Sequence, residues 1–220
     1  ICPQDTDEQA IYERLAYRYP YAEQQDMPTK VVSSALDREY VYGEDDEQAI
    51  TAVCDDADRN FVGTAYHKVY QYVDYNSDKR QIADTVEGLV LGGVIERRFA
   101  DKLDIDLIHR TLNNPELKRL LCAGTTYHEL PFMLYVPYDQ VSKDKRYTDN
   151  VMLQGVIDLL VIDGGKATVI DFKYTSKSGR IKDNYAAQLN SYKLAVQHIC
   201  GITDVSCYVL SIADNKLIKM

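Results

Sequence analysis

"VMLQGVIDLLVIDGGKATVIDFKYTSKSG", residues 151–179, reads as the two arms of a β-hairpin around the turn "DGGK", because an Asp-Gly pair between β-prone apolar runs is a strong hairpin signal. In the second arm, strand alternation places Asp171 and Lys173 on one face and Ile170 and Phe172 on the other. Asp158 lies about as far from the turn on the first arm, so the two carboxylates are expected to meet across the pair. Asp158 also interrupts "GVIDLLVI", an apolar run that should be buried. A lone buried carboxylate is costly unless paired or metal-bound.

Two neighbouring carboxylates raise each other's pKa unless a cation sits between them, and a hard divalent ion, Mg²⁺ or Mn²⁺, takes carboxylate oxygens readily. With Lys173 beside them to stabilise developing phosphoryl charge or orient a water, the set suits metal-assisted phosphodiester hydrolysis. An Asp and a Lys two apart on a strand are ordinary surface decoration by themselves. Asp158 tips the balance.

The rest of the chain divides around this hairpin. Apolar spacing predicts an amphipathic helix over 6–19 (Ile11, Leu15, Tyr19), a helix over 63–73 with Ala65, Val69 and Val73 on one stripe, and further helices over 79–99 and 104–121, the last open to a break at Pro115. The acidic stretch 43–60 reads as a solvated loop or weak helix. After Gly124, "TTYHELPFMLYVPYD" reads as a strand, with Pro131 suiting an edge or a bulge. A helix over 183–200 and a strand over 205–212 follow the hairpin. The expectation is an α+β fold in one domain, 1–124 mainly helical and 125–220 carrying the sheet.

Length and hydrophobic content, 220 residues and 45%, allow a sizeable core. The chain starts at Ile1 and its first 25 residues carry no secretory or membrane-spanning run, so it reads as a piece of a larger soluble protein. Five scattered cysteines without zinc spacing read as reduced thiols of a cytoplasmic protein. A net charge of -9 argues against a free-standing nucleic-acid binder; DNA as substrate would be delivered by something else.

"QGVIDLL", "VIDFKY" and "QLNSY", preceded by "GTAYH" and "HELPF", resemble the PD-(D/E)XK nuclease superfamily in its RecB-type form. The lead-in "RYPYAEQQDMPTKVVSSALDREY" (18–40) is similar to the start of the C-terminal nuclease domain of AddA-type helicase-nuclease proteins. The resemblance spans roughly residues 6–212. It implies a restriction-endonuclease-like core, a small mixed β-sheet flanked by helices, and a Mg²⁺-dependent deoxyribonuclease acting on single strands, as an exonuclease, within a bacterial, cytoplasmic ATP-dependent helicase-nuclease of recombination repair. The implied partners are DNA, a covalently linked helicase region and a second subunit of AddB type.

It further implies metal ligation by His67, Asp158, Asp171 and the Phe172 carbonyl, a catalytic Lys173, and Gln188 and Tyr192 holding the site or the strand. Glu129 either touches a ligand or water beyond these or merely ends a strand. No iron–sulfur cluster is expected, since the cysteine set of some relatives is missing. No ATP site is expected either: "GGKAT" (164–168) lacks the upstream glycine of a phosphate-binding loop and has Ala167 where Ser or Thr would bind Mg²⁺. Lys177, Arg180 and Lys182 in "KYTSKSGRIK" are candidate DNA contacts, and a solvated loop explains that run equally well. The rival readings are a catalytically silent, nuclease-like DNA-guiding or docking domain, and a restriction-type endonuclease.

Overall fold

The computed structural model describes residues 8–16, 26–36, 52–142, 147–175 and 181–220. In chain order the elements are α1 (Glu8–Leu15), β1 (Lys30–Val32), α2 (Ala52–Tyr72), α3 (Lys79–Leu91), α4 (Arg97–Ala100), α5 (Ile105–Leu112), α6 (Pro115–Leu121), β2 (Thr125–Pro137), β3 (Asn150–Asp163), β4 (Lys166–Lys173), α7 (Ile181–Asn184), α8 (Ala186–Cys200), β5 (Asp204–Ser211) and β6 (Lys216–Lys219). The strands form one mixed sheet in the order β1-β3-β4-β5-β6, with β2 on the other side of β3. Helices flank this sheet, as the α+β expectation required.

The hairpin forms as the sequence indicates, with Leu159 opposite Ile170 and Asp163 opposite Lys166. β4 is then sandwiched between β3 and the parallel β5. A strand covered on both faces reads as an almost continuous apolar run, and Val169, Ile170, Asp171 and Phe172 are all buried. β3 changes partner along one edge: Met152–Gln154 pair with β1, whereas Leu159–Asp163 pair with β4. Between those stretches no strand among the described residues pairs with that edge, and the site lies there.

One hydrophobic cluster lies on the α2–α6 side and includes Tyr66, Val69, Tyr70, Leu159 and Phe172. The other lies on the α8 side and includes Phe132, Leu153, Ile157, Leu189 and Tyr192. Leu159 and Ile157, two residues apart on β3, thus belong to opposite layers. β2 does the same: His128 packs its ring on Tyr75, while Leu130 joins the α8-side cluster. The switch falls at Glu129, whose φ of 47° breaks strand alternation.

Several helix boundaries differ from expectation. The stretch 79–99 is two helices, because Gly92 and Gly93 (φ 69°) end α3. The Val94 and Gly93 N–H groups donate to Leu89 and Val90 carbonyls at 2.9 and 3.0 Å, the backbone closure that a left-handed glycine permits. α2 begins at Ala52, so the 52–60 part of the acidic stretch is helix; residues 43–51 lie outside the described residues. Adding turns to an existing helix is cheap compared with nucleating one. The break at Pro115 occurs, with Asn114 capping α6 through its side-chain oxygen at 3.0 Å from the Glu116 N–H. α1 is described from Glu8 to Leu15, with Ile11 and Leu15 on its expected apolar face exposed; residues 6, 7 and 17–19, Tyr19 among them, lie outside the described residues. α7 and α8 replace a single helix over 183–200, and β1 and β6 add two strands that the sequence pattern does not announce.

Candidate active site

α2 carries His67 at the edge of its buried stripe. Tyr66 stacks on Tyr174 at 4.6 Å and Tyr70 on Phe172 at 4.9 Å, so aromatic contacts on either side of His67 fix the helix against β4. The imidazole Nδ1 then stands 3.4 Å from Asp158 Oδ2. The same carboxylate oxygen accepts the Phe172 backbone N–H at 2.8 Å, replacing the ladder bond lost where β3 and β4 part.

Asp171 is 1% exposed. Its Oδ1 accepts from Lys173 Nζ at 3.2 Å and from Gln188 Nε2 at 3.3 Å. Oδ2 lies 2.9 Å from the same ammonium and has no further hydrogen-bond partner among the described residues. Gln188 and Tyr192, one turn apart on the buried face of α8, are joined by a hydrogen bond between the Gln188 amide and the Tyr192 hydroxyl. Lys173 also lies 5.0 Å over the ring of Tyr185, a cation–π contact.

The titration directions follow from this crowding. Burial pushes Asp158 well above the usual carboxylate range, and the Asp171 charge adds to it. Lys173 is pulled down by burial, but the charges of Asp171 and Asp158 outweigh that and leave it raised. His67 is lowered by burial and by the Lys173 charge. Glu129 is raised by burial, and Tyr192 is raised for the same reason.

His67, Asp158, Asp171, Lys173, Gln188 and Tyr192 thus meet around one cavity of about 500 Å³, walled in part by Val32, Phe132 and Gly155. Phe172 turns its N–H to Asp158, and its ring is buried. Glu129 stands beside Asp158 in the ladder, between the pairs His128/Leu159 and Leu130/Ile157. Lys182 is exposed on α7, while Lys177 and Arg180 lie outside the described residues. Sequence reasoning missed Tyr185, Tyr66 and Gly155. For Tyr185 the signal is an aromatic residue just after the basic run; for the other two there is none.

Among the described residues no three His, Cys, Asp or Glu side chains converge tightly enough to enclose an ion by themselves. The donor set still fits a hard divalent cation: a buried carboxylate whose Oδ2 has only the Lys173 ammonium beside it among the described residues, a second carboxylate destabilised in its charged form, and an imidazole. Mg²⁺ commonly uses one or two carboxylates and fills its shell with water or substrate oxygens.

The profile of the PD-(D/E)XK nuclease superfamily matches residues 38–214. The chain belongs to that superfamily. This PD-(D/E)XK chain is 28% identical over 219 residues to the A subunit of the ATP-dependent helicase/nuclease of Carboxydothermus hydrogenoformans, covering 94% of its own length and 19% of that protein. It is 24% identical over 247 residues to the protein of the same name from Syntrophomonas wolfei, covering 100% of itself and 19% of that protein. The chain therefore spans about a fifth of the curated relatives it matches. A solved structure, the crystal structure of SSO0001, aligns with 97% of the PD-(D/E)XK chain and 72% of its own at 9% identity, with a TM-score of 0.31. That likeness is too loose to carry an argument.

Proposed function

We propose that this chain is a Mg²⁺- or Mn²⁺-dependent deoxyribonuclease module, an exonuclease acting on single strands within a bacterial, cytoplasmic helicase-nuclease of recombination repair. A covalently linked motor region and a second subunit of AddB type complete the assembly in this reading. The observation that carries it is Asp171: a fully buried carboxylate whose Oδ2 lies 2.9 Å from the Lys173 ammonium, on the wall of a cavity of about 500 Å³ that His67 and Asp158 also line.

Asp158, Asp171 and His67 are the residues that would hold the ion, with the Phe172 carbonyl as a further donor. Bound there, the ion supplies positive charge that polarises a phosphate and makes water more acidic. The chain's own groups do the rest. Lys173 has a raised pKa and keeps its proton, so it acts as a fixed charge on the phosphoryl oxygens as negative charge grows there. Gln188 holds Asp171 Oδ1 and is itself held by Tyr192, which fixes the carboxylate's orientation. The Phe172 N–H does the same for Asp158.

No helix among the described residues is long and apolar enough to cross a membrane. The test is cleavage of single-stranded and duplex DNA with Mg²⁺ or Mn²⁺, against EDTA, for the wild type, Asp171→Ala and Lys173→Ala. Metal-dependent cleavage lost in both variants is expected. Cleavage that survives both sinks the assignment.

A further inference from the structure

The cavity that holds Asp171 and Lys173 is also walled by Pro131, Met133, Gln154 and Val156. The β2–β3 register sets Pro131 beside Val156, Met133 beside Gln154 and Tyr135 beside Met152. A strip two strands wide therefore leads from the cavity along the sheet. Met133, Tyr135 and Val156 on it are exposed, at 63%, 67% and 41%, while Met152 and Gln154 are half-buried. The segments "PFMLYVP" (131–137) and "VMLQGV" (151–156) contain no charged residue, in a chain of net charge -9.

We propose that this strip is a base-stacking platform for single-stranded nucleic acid whose scissile phosphate sits at Asp171 and Lys173, with Tyr135 and Met133 receiving the bases. The proposal rests on the nuclease reading above and adds to it where the strand lies.

Three observations select this occupant. Because Met133 and Asp171 line one cavity, whatever covers the strip reaches the catalytic corner. The strip is apolar and aromatic within an acidic protein, so it offers a polyanion contacts through base faces. Stacking adds affinity there without phosphate neutralisation. Finally, the outer edge of β2 is unsuited to a protein partner adding a strand: Pro131 and Pro137 have no N–H, and Glu129 leaves the extended conformation.

Same-face residues recur about every 6.8 Å along a strand, which places Tyr135 roughly 20 Å from the Glu129 step. Its base is thus several nucleotides from the cut, and a short substrate does not touch it.

The test uses the 220-residue chain and two probes: binding of a labelled oligothymidylate about ten nucleotides long in EDTA, a length within the reach of one such groove, followed by anisotropy, and Mn²⁺-dependent hydrolysis of bis(p-nitrophenyl) phosphate. Tyr135→Ala is expected to weaken oligothymidylate binding about tenfold. Tyr135→Phe, which keeps the ring face, stays within about twofold of wild type. Neither variant changes hydrolysis of the small diester. Unchanged binding in Tyr135→Ala, an equal loss in Tyr135→Phe, or slowed small-diester hydrolysis in either variant overturns the platform. Small-diester hydrolysis that is absent from the wild type, or that persists in Lys173→Ala, overturns the nuclease reading instead.

Discussion

Glu129 faces Asp158 across the β2–β3 ladder at a step where the pairing is interrupted, and it does so with a φ of 47°. A left-handed glutamate inside a strand is strained, and here the strained residue sits where both strands pass from one core layer to the other. The strain and the site share a location.

Substitutions at Glu129 separate backbone from side chain. Glu129→Val adds β-branching to a left-handed residue and is expected to cost about 1–2 kcal/mol in urea unfolding. Glu129→Gly relieves the strain while loosening the unfolded chain, leaving stability within about 1 kcal/mol of wild type. A Glu129→Val protein as stable as Glu129→Gly would show that the unusual φ carries no strain.

Two glycines are held by close packing rather than by turns. A Cβ on Gly155 would lie 2.6 Å from Ser33 Oγ and 2.8 Å from Phe132 Cζ, and one on Gly124 would run into the Ile162 carbonyl oxygen. Gly155→Ala is expected to cost about 1–3 kcal/mol, as overpacking does, and Gly124→Ala more, since its obstacle is backbone. Combining Gly155→Ala with Ser33→Ala recovers part of the loss, a coupling that a double-mutant cycle in urea measures.

Gln188 donates to Asp171 Oδ1 at 3.3 Å, and in the proposed nuclease it acts through that carboxylate. Residues that orient a ligating group cost about 10- to 100-fold in activity or metal affinity when removed. Gln188→Ala is therefore expected to reduce cleavage by that factor and to raise the Mn²⁺ concentration needed for half-maximal rate. Tyr192→Phe, which removes only the partner hydroxyl, loses less. A Gln188→Ala enzyme with unaltered metal dependence contradicts the positioning role.

Thiol chemistry distinguishes the three cysteines whose side chains are described. Cys122 and Cys200 are exposed, whereas Cys207 is buried, and burial pushes its pKa up to about 11. Near neutral to mildly alkaline pH, iodoacetamide should modify Cys122 and Cys200 first, and Cys207 only after unfolding, as peptide mapping will show. A raised thiol pKa also means that the unfolded chain ionises first, so this group's contribution to stability is present below its ordinary 9.0 and is lost as pH climbs through about 11. Tyr70, Tyr75 and Tyr192, all raised by burial, act in the same direction. Urea midpoints should fall steadily between those pH values.

What can be read from the chain, and what cannot, divides by range. The hairpin and the facing of Asp171 with Lys173 follow from a period of two and a glycine turn, both local signals, whereas Gln188 and Tyr192 stand out only through the family resemblance. The break at Gly92-Gly93 is equally local but is masked by apolar spacing that continues to Phe99. β1 and β6, three and four residues long, are too short to show a period, and pairing with distant strands decides them. Nothing about a glutamate between His128 and Leu130 announces a left-handed backbone, and the change of partner along β3 depends on Val31 lying beside Leu153, a contact the intervening residues do not mark. The charged groups of the site are legible; the fork that lets them converge is not.

β2 runs past that fork in constant register, pairing with β3 from Asn150 to Ile157 and again from Leu159 to Ile162, with the Glu129 step alone skipped. It acts as a splint across a seam. A pull exerted at Asp158 along the strand axis loads the splint in shear, so that many backbone bonds must yield at once instead of unzipping singly. The sheet is thus braced lengthwise at its most open point, the direction in which a sliding polymer would drag on it.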